Sequence, residues 1–208
     1  LLAPHFRVIA MDCRGHGRSG KPHEVSAYSG TTMEDDVTRL MDHLRIERAL
    51  LQGYSMGARI ALGLLARQPK RFGAVVLGGI GATGQMDDPE RRKAIAASLL
   101  ADDKASVSRQ GRDFRQFAES VGNDLNALAA CMSANRAPVD PAVLAKNTVP
   151  ALVIVGTKDE LAMRGAKPLQ EQIANSKLIE IEGRHHLNAP GDRKYQAEVL
   201  GFLKSAPA

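Results

Sequence analysis

Ala49-Leu50-Leu51, then Gly53-Tyr54-Ser55-Met56-Gly57, then Arg59 to Arg67 form an apolar run, a glycine-bracketed serine and a helix-like stretch in close succession. That order puts Ser55 on the turn between a strand and a helix. A serine hydroxyl is a weak nucleophile, so attack on a carbonyl needs a neighbouring base and donors for the developing oxyanion. The turn supplies one donor. The Met56 amide falls in the first turn of the following helix, where NH groups without intrahelical partners and the positive dipole end favour a negative oxygen. Gly53 and Gly57 are expected to omit a Cβ where strand and helix meet, and Ser55 to accept a strained backbone angle. A glycine-lined turn in a parallel sheet, with no chemistry, is the plain alternative, because G-x-S-x-G also arises by chance.

Further along, Ala151-Leu152-Val153-Ile154-Val155 is a continuous apolar, β-branched run of the kind a strand buried on both faces requires. Gly156-Thr157-Lys158-Asp159 leaves its carboxyl end. A second strand, Leu178-Ile179-Glu180-Ile181, runs into Gly183-Arg184-His185-His186 and places imidazoles just beyond its end. Each of these polar residues also has an ordinary reading, the histidines as solvated loop residues and a post-strand carboxylate as a helix cap.

The rest of the chain alternates in the same way. Arg7-Val8-Ile9-Ala10-Met11 reads as a strand. Thr32 with Asp35 reads as a capping box, ahead of Met33, Val37, Leu40, Met41 and Leu44 on one helical face. Strand 49–54, helix 56–67 and strand Ala74-Val75-Val76-Leu77 continue a parallel series with right-handed crossovers. Between Gly81 and Pro150 the pattern turns helical, with Asp88-Pro89 and Asp140-Pro141 as helix starts and Phe114, Phe117, Ala118 and Val121 at helical spacing. Strand 178–182 and an amphipathic helix carrying Tyr195, Val199, Phe202 and Leu203 close the chain.

Taken together, these blocks resemble the α/β-hydrolase family, in which a nucleophile elbow, an acid and a histidine follow in the order serine, acid, histidine. The resemblance implies Ser55 as nucleophile, Asp159 as acid, His186 as base and Met56 as an oxyanion-hole amide. It favours His186 over His185 because the family histidine stands immediately before an apolar residue, here Leu187. His185 and Glu160 remain rivals. Asp12-Cys13-Arg14-Gly15-His16-Gly17-Arg18-Ser19 is similar to a segment of many family members and reads as a structural turn held by Asp12, Arg14 and His16. A catalytic His16 is the minor alternative. The implied fold is a partial α/β-hydrolase fold, a mostly parallel sheet flanked by helices, with core 1–81 and 150–208 and a helical cap over 82–149. The implied reaction is hydrolysis of a small carboxylic ester or lactone through an acyl-enzyme, without a cofactor, in the cytoplasm. The same triad serves thioester, carbon-carbon bond and perhydrolase chemistry in the family.

In that family the fold opens with three further strands and an oxyanion loop, often His-Gly, and the third strand lies between the fourth and the fifth. Here the first strand resembles the family's fourth, so strand 7–12 is expected either to close against strand 49–54 or to leave backbone groups unpaired. His16-Gly17 follows the wrong strand to supply the missing donor. The expectation is of a partial chain, and a catalytically incompetent fragment or non-catalytic interaction module of the same fold is the rival function.

Composition narrows the classes. The chain has 208 residues and 44% hydrophobic content, enough for one domain with a cap. Its formal charge of +5 is scattered, and 4% aromatic content offers little to stack on bases, which argues against nucleic-acid binding. Cys13 and Cys131 make no metal or redox spacing and suit a reducing compartment, and adjacent His185 and His186 lack surrounding ligands for a metal. No stretch of about 18 uninterrupted apolar residues offers a membrane span.

Overall fold

The computed structural model describes residues 1–82, 89–103 and 107–206. Among them four strands, β1 (Ala49–Tyr54), β2 (Phe72–Gly78), β3 (Ala151–Gly156) and β4 (Ser176–Ile181), form one parallel sheet in the order β1-β2-β3-β4. The burial of each strand follows its sequence. β2 and β3 are apolar throughout and buried at every position, as central parallel strands must be. β1 and β4 stand at the edges and carry their polar residues outward, Gln52 on one and Lys177 and Glu180 on the other.

Eight helices are described: α1 (Thr32–His43), α2 (Met56–Arg67), α3 (Pro89–Leu100), α4 (Arg109–Ser120), α5 (Leu125–Ser133), α6 (Pro141–Leu144), α7 (Glu160–Gln172) and α8 (Arg193–Lys204). Along β2 and β3, Ala74, Val76, Leu152 and Ile154 share one face. They pack with Tyr195, Val199, Phe202 and Leu203 of α8. The alternate residues Val75, Leu77, Val153 and Val155 point the other way and are equally buried. α2 lies against β1 and β2, and α7 against β3 and β4. The architecture is α/β, a parallel sheet flanked by helices.

The chain forms two compact units. The described parts of Leu1–Ile9, Leu40–Met86 and Pro138–Ala208 make the first, which holds the sheet. The described parts of Ala10–Arg39 and Asp87–Ala137 make the second. Inside the second unit, Ile95, Ala96, Leu99, Ala118, Leu128 and Ala129 of α3, α4 and α5 form an apolar cluster. The Gly30 amide donates to the Asn135 carbonyl at 2.8 Å, which ties its two chain segments together. Arg14 forks onto both carboxylate oxygens of Asp36 at 2.6 Å. Asp12 accepts from the Arg18 amide at 2.9 Å, and His16 Nδ1 lies 3.0 Å from the Arg14 carbonyl, so all three residues hold turns.

Three details differ from expectation, and one helix carries an internal proline. Residues 7–11 form no strand. An extended segment becomes a strand only when a neighbour takes its amides and carbonyls, and Val8 and Ile9 are half-exposed here, at 50% and 44%. β1 is consequently an edge strand. The hydroxyl that pairs with Asp35 belongs to Thr31, at 3.0 Å, one residue before the Thr32 of the expected capping box. Thr32 instead donates to the Ser29 carbonyl. The helical face in 114–121 is only half used, since Ala118 is buried whereas Phe117 and Val121 are exposed. Finally, α7 continues through Pro168, whose missing NH and fixed ring normally end a helix. Of the two expected helix starts, Asp140 caps α6 through the Ala142 amide at 2.8 Å, while Asp88 lies outside the described residues.

Among the described residues, the buried phenol of Tyr195 has no hydrogen-bond partner. An unpartnered buried hydroxyl costs stability that its ring does not recover. Tyr195→Phe is therefore expected to stabilise the fold by about 1 kcal/mol, read as a rise in the thermal unfolding midpoint.

Candidate active site

Ser55 occupies the turn between β1 and α2 with φ 52° and ψ −114°. Among the described residues Arg45 is the only other non-glycine with positive φ. That conformation costs about 1–3 kcal/mol and persists only where its surroundings over-determine it. Here they do. The Ser55 amide donates to the Gly78 carbonyl at the end of β2 at 2.8 Å, and the Ser55 carbonyl accepts from Arg59 in α2 at 3.0 Å. A Cβ at Gly53 would sit 2.2 Å from the Gly57 carbonyl oxygen, so the strand reaches the helix only because Gly53 has none. Gly57 differs from expectation. A Cβ there meets nothing within 4 Å, because it is the Gly57 backbone, and not its missing side chain, that β1 approaches. Met56 is the first residue of α2, with its amide at the positive end of that helix.

Asp159 follows β3 and is buried, 4% exposed. Its two oxygens have separate tasks. Oδ1 accepts from the Ala162 amide at 3.3 Å and caps α7, while Oδ2 lies 2.5 Å from His186 Nδ1. The cap reading and the acid reading of this residue are thus compatible. His186 follows β4, and its Nε2 lies 2.9 Å from Ser55 Oγ. With the Asp159 carboxylate accepting, the imidazole proton belongs on Nδ1 and a lone pair on Nε2 faces the serine.

The loops carrying Asp159 and His186 are joined by their backbones. The Thr157 amide donates to the Ile181 carbonyl at 3.0 Å, Lys158 to Arg184 at 2.9 Å, and the Gly183 amide to Thr157 Oγ1 at 2.8 Å. Asp192 caps α8 through the Lys194 amide at 2.7 Å and holds Arg184 Nε at 2.7 Å. The Arg184 guanidinium and those amides keep the Asp192 carboxyl below the usual carboxylate range.

The rivals lie outside this hydrogen-bonded run. His185 is exposed, and its Nδ1 accepts from the Leu187 amide at 3.3 Å. Glu160 is the exposed first residue of α7, and His16 belongs to the second compact unit. One contributor is invisible to motif reading. The phenol of Tyr54, at the variable position of the glycine-serine motif, donates to the His186 carbonyl at 2.5 Å. Burial, with the nearby Asp159 charge second, pushes that phenol well above its ordinary pKa, so it remains a donor. Among the described residues no group of three His, Cys, Asp or Glu could hold a metal ion, and no helix is long and apolar enough to cross a membrane.

Residues 1–95 match the family described as alpha/beta hydrolase fold. The chain is 29% identical over 227 residues to 3-oxoadipate enol-lactonase 1 of Acinetobacter baylyi, covering 98% of this chain and 81% of that protein. In three dimensions it is similar to the enol-lactonase of Burkholderia xenovorans, with a TM-score of 0.79 and 27% identity over 98% of this chain and 83% of the other. A hydrolase of Pseudomonas aeruginosa superposes with a TM-score of 0.77 and 26% identity, covering 98% and 82%. The chain has the α/β-hydrolase fold and is similar to hydrolases of that family.

The two motif glycines separate experimentally. Gly53→Ala is expected to cost about 1–3 kcal/mol through forced backbone displacement, on the order of 5 °C in Tm. Gly57→Ala is expected to leave Tm unchanged or raise it, since alanine is the better helix former. Calorimetric melts of both variants check the contrast.

Proposed function

We propose that this protein is a serine hydrolase that cleaves a small carboxylic ester or lactone. The observation that carries the reading is the continuous run from Asp159 Oδ2 through His186 to Ser55 Oγ, at 2.5 and 2.9 Å, ending on a serine with φ 52°. The similarity to two enol-lactonases favours lactones within the ester class.

In this mechanism Ser55 Oγ attacks the carbonyl carbon while its proton passes to His186 Nε2. Asp159 orients the imidazole and stabilises the imidazolium without taking the proton. The Met56 amide donates to the oxyanion of the tetrahedral intermediate. Collapse breaks the carbon-oxygen bond, and the departing alkoxide takes the proton from His186; in a lactone that alcohol stays tethered to the acyl group. Water then gives a proton to His186 and attacks the acyl-enzyme, and Ser55 leaves with its proton restored. The balance is one ester and one water to one acid and one alcohol, with no cofactor.

The described helices of 82–149 are assigned to a cap. The cytoplasm is the proposed compartment, since Cys13 and Cys131 are both free thiols. A catalytically incompetent chain is the second reading, favoured by the edge position of β1 among the described strands and by Met56 as the single assigned oxyanion donor. Loss of one donor in such sites costs about 10² to 10³ in rate.

Hydrolysis of p-nitrophenyl acetate and of a small enol-lactone by the purified chain separates the two. Ser55→Ala is expected to lower kcat by about 10⁴ to 10⁶, and Asp159→Asn by about 10⁴. Retention of most hydrolysis by Ser55→Ala overturns the mechanism, and an inert but cooperatively folded wild-type chain favours the second reading.

A further inference from the structure

Tyr54 has no part in the mechanism above, yet it joins the two ends of the reacting pair. It ends β1, one residue before Ser55, and its phenol donates to the main-chain carbonyl of His186 at 2.5 Å. Its ring centroid lies 5.3 Å from that of the His186 imidazole. The ring is confined on other sides. Tyr195 meets it edge-on at 6.1 Å and 73°, and the end of β2 is cleared for it. A Cβ at Gly78 would fall 2.7 Å from Tyr54 Cδ2, and one at Gly79, where φ is +61°, would fall 2.6 Å from Tyr54 Cζ.

The histidine loop needs such an anchor. Arg184 is held through its carbonyl by Lys158, and His185 and Asn188 bond each other, with the His185 amide 2.8 Å from Asn188 Oδ1. Those contacts hold the His185 carbonyl, and the Leu187 amide donates to His185 Nδ1, but none of them reaches the His186 carbonyl. Leu187 gives no apolar anchorage, being 68% exposed, and the His186 side chain is itself 36% exposed. The His186 carbonyl accepts from the Tyr54 phenol.

We propose that Tyr54 is a positioning residue for the hydrolytic reaction: its phenol fixes the His186 peptide relative to the Ser55 elbow, so that one imidazole reaches Asp159 and Ser55 together. This rests on the proposed roles of Ser55, Asp159 and His186. Because Tyr54 and Ser55 are consecutive, the nucleophile and the histidine loop share one rigid support. A motif residue that the G-x-S-x-G pattern leaves free thereby sets the distance on which proton transfer depends.

Tyr54→Phe keeps the ring and its packing and removes only the phenol. With p-nitrophenyl acetate, kcat is expected to fall roughly tenfold while KM stays within about twofold. In a His186→Ala background the same change is expected to cause no further loss, since Tyr54 acts through His186. The second readout is independent of turnover. The downfield proton resonance of His186 Nδ1–H, in protein labelled with 15N-histidine, is expected to broaden or exchange several-fold faster in Tyr54→Phe at an unchanged Tm. An unchanged kcat with an unchanged resonance overturns the proposal, as does an equal loss in the His186→Ala background. If the wild-type chain is inert, the proposed function fails, and the resonance alone still decides whether Tyr54 holds His186.

Discussion

The hydrogen bond from the Ser55 amide to the Gly78 carbonyl, 2.8 Å long, is the constraint on which the site depends. It continues the β1–β2 ladder one residue past the strand, into a position where the backbone has already turned to φ 52°. The next link lies one residue past the end of β2, where the Gly79 amide donates to the Ile154 carbonyl at 2.9 Å. Register carries the same level across the sheet. Tyr54 stands opposite Gly78, Gly78 opposite Ile154, and Gly156 opposite Ile181. Three strand ends therefore finish at one edge, and the loops that leave them bring a serine, a carboxylate and an imidazole into hydrogen-bond distance. A slip of one residue in any pair would reverse the side-chain faces and separate them.

The same edge explains how a carboxylate can be buried there. Asp159 is almost fully enclosed, and an unpaired ion in such a place costs several kcal/mol. Two donors offset that cost, the Ala162 amide on one oxygen and His186 on the other. The helix end that supplies the first donor also presents its positive dipole to the charge. Capping α7 and orienting the imidazole are accordingly one arrangement, and replacing Asp159 disturbs both helix and site.

Much of this was legible from local pattern. β2 and β3 could be read because burial on both faces demands unbroken apolar runs, and α8 because Tyr195, Val199, Phe202 and Leu203 repeat at the helical period and are all buried. Ser55 stood out on its strand-to-helix turn, the α/β-hydrolase resemblance pointed to Asp159 and to His186 over His185, and the structure brings the three together. Other features depend on distant partners that no local window contains. Residues 7–11 have a strand's composition, but pairing and not composition makes a strand. Pro168 lies inside α7, whose Ala162, Gly165, Ala166 and Leu169 are buried. The different roles of Gly53 and Gly57 depend on which side of the turn a Cβ would point, which spacing does not encode. Tyr54 was missed for the same reason, since its partner lies 132 residues away.

The central claim, that Ser55 is an activated nucleophile, is tested most directly by fluorophosphonate labelling of the purified 208-residue chain with mass mapping of the modified peptide. Labelling confined to Ser55, and abolished in Ser55→Ala, is the expected result, because only a serine paired with a base and supplied with an oxyanion donor reacts readily with such probes. Absence of label from a cooperatively folded chain would contradict it.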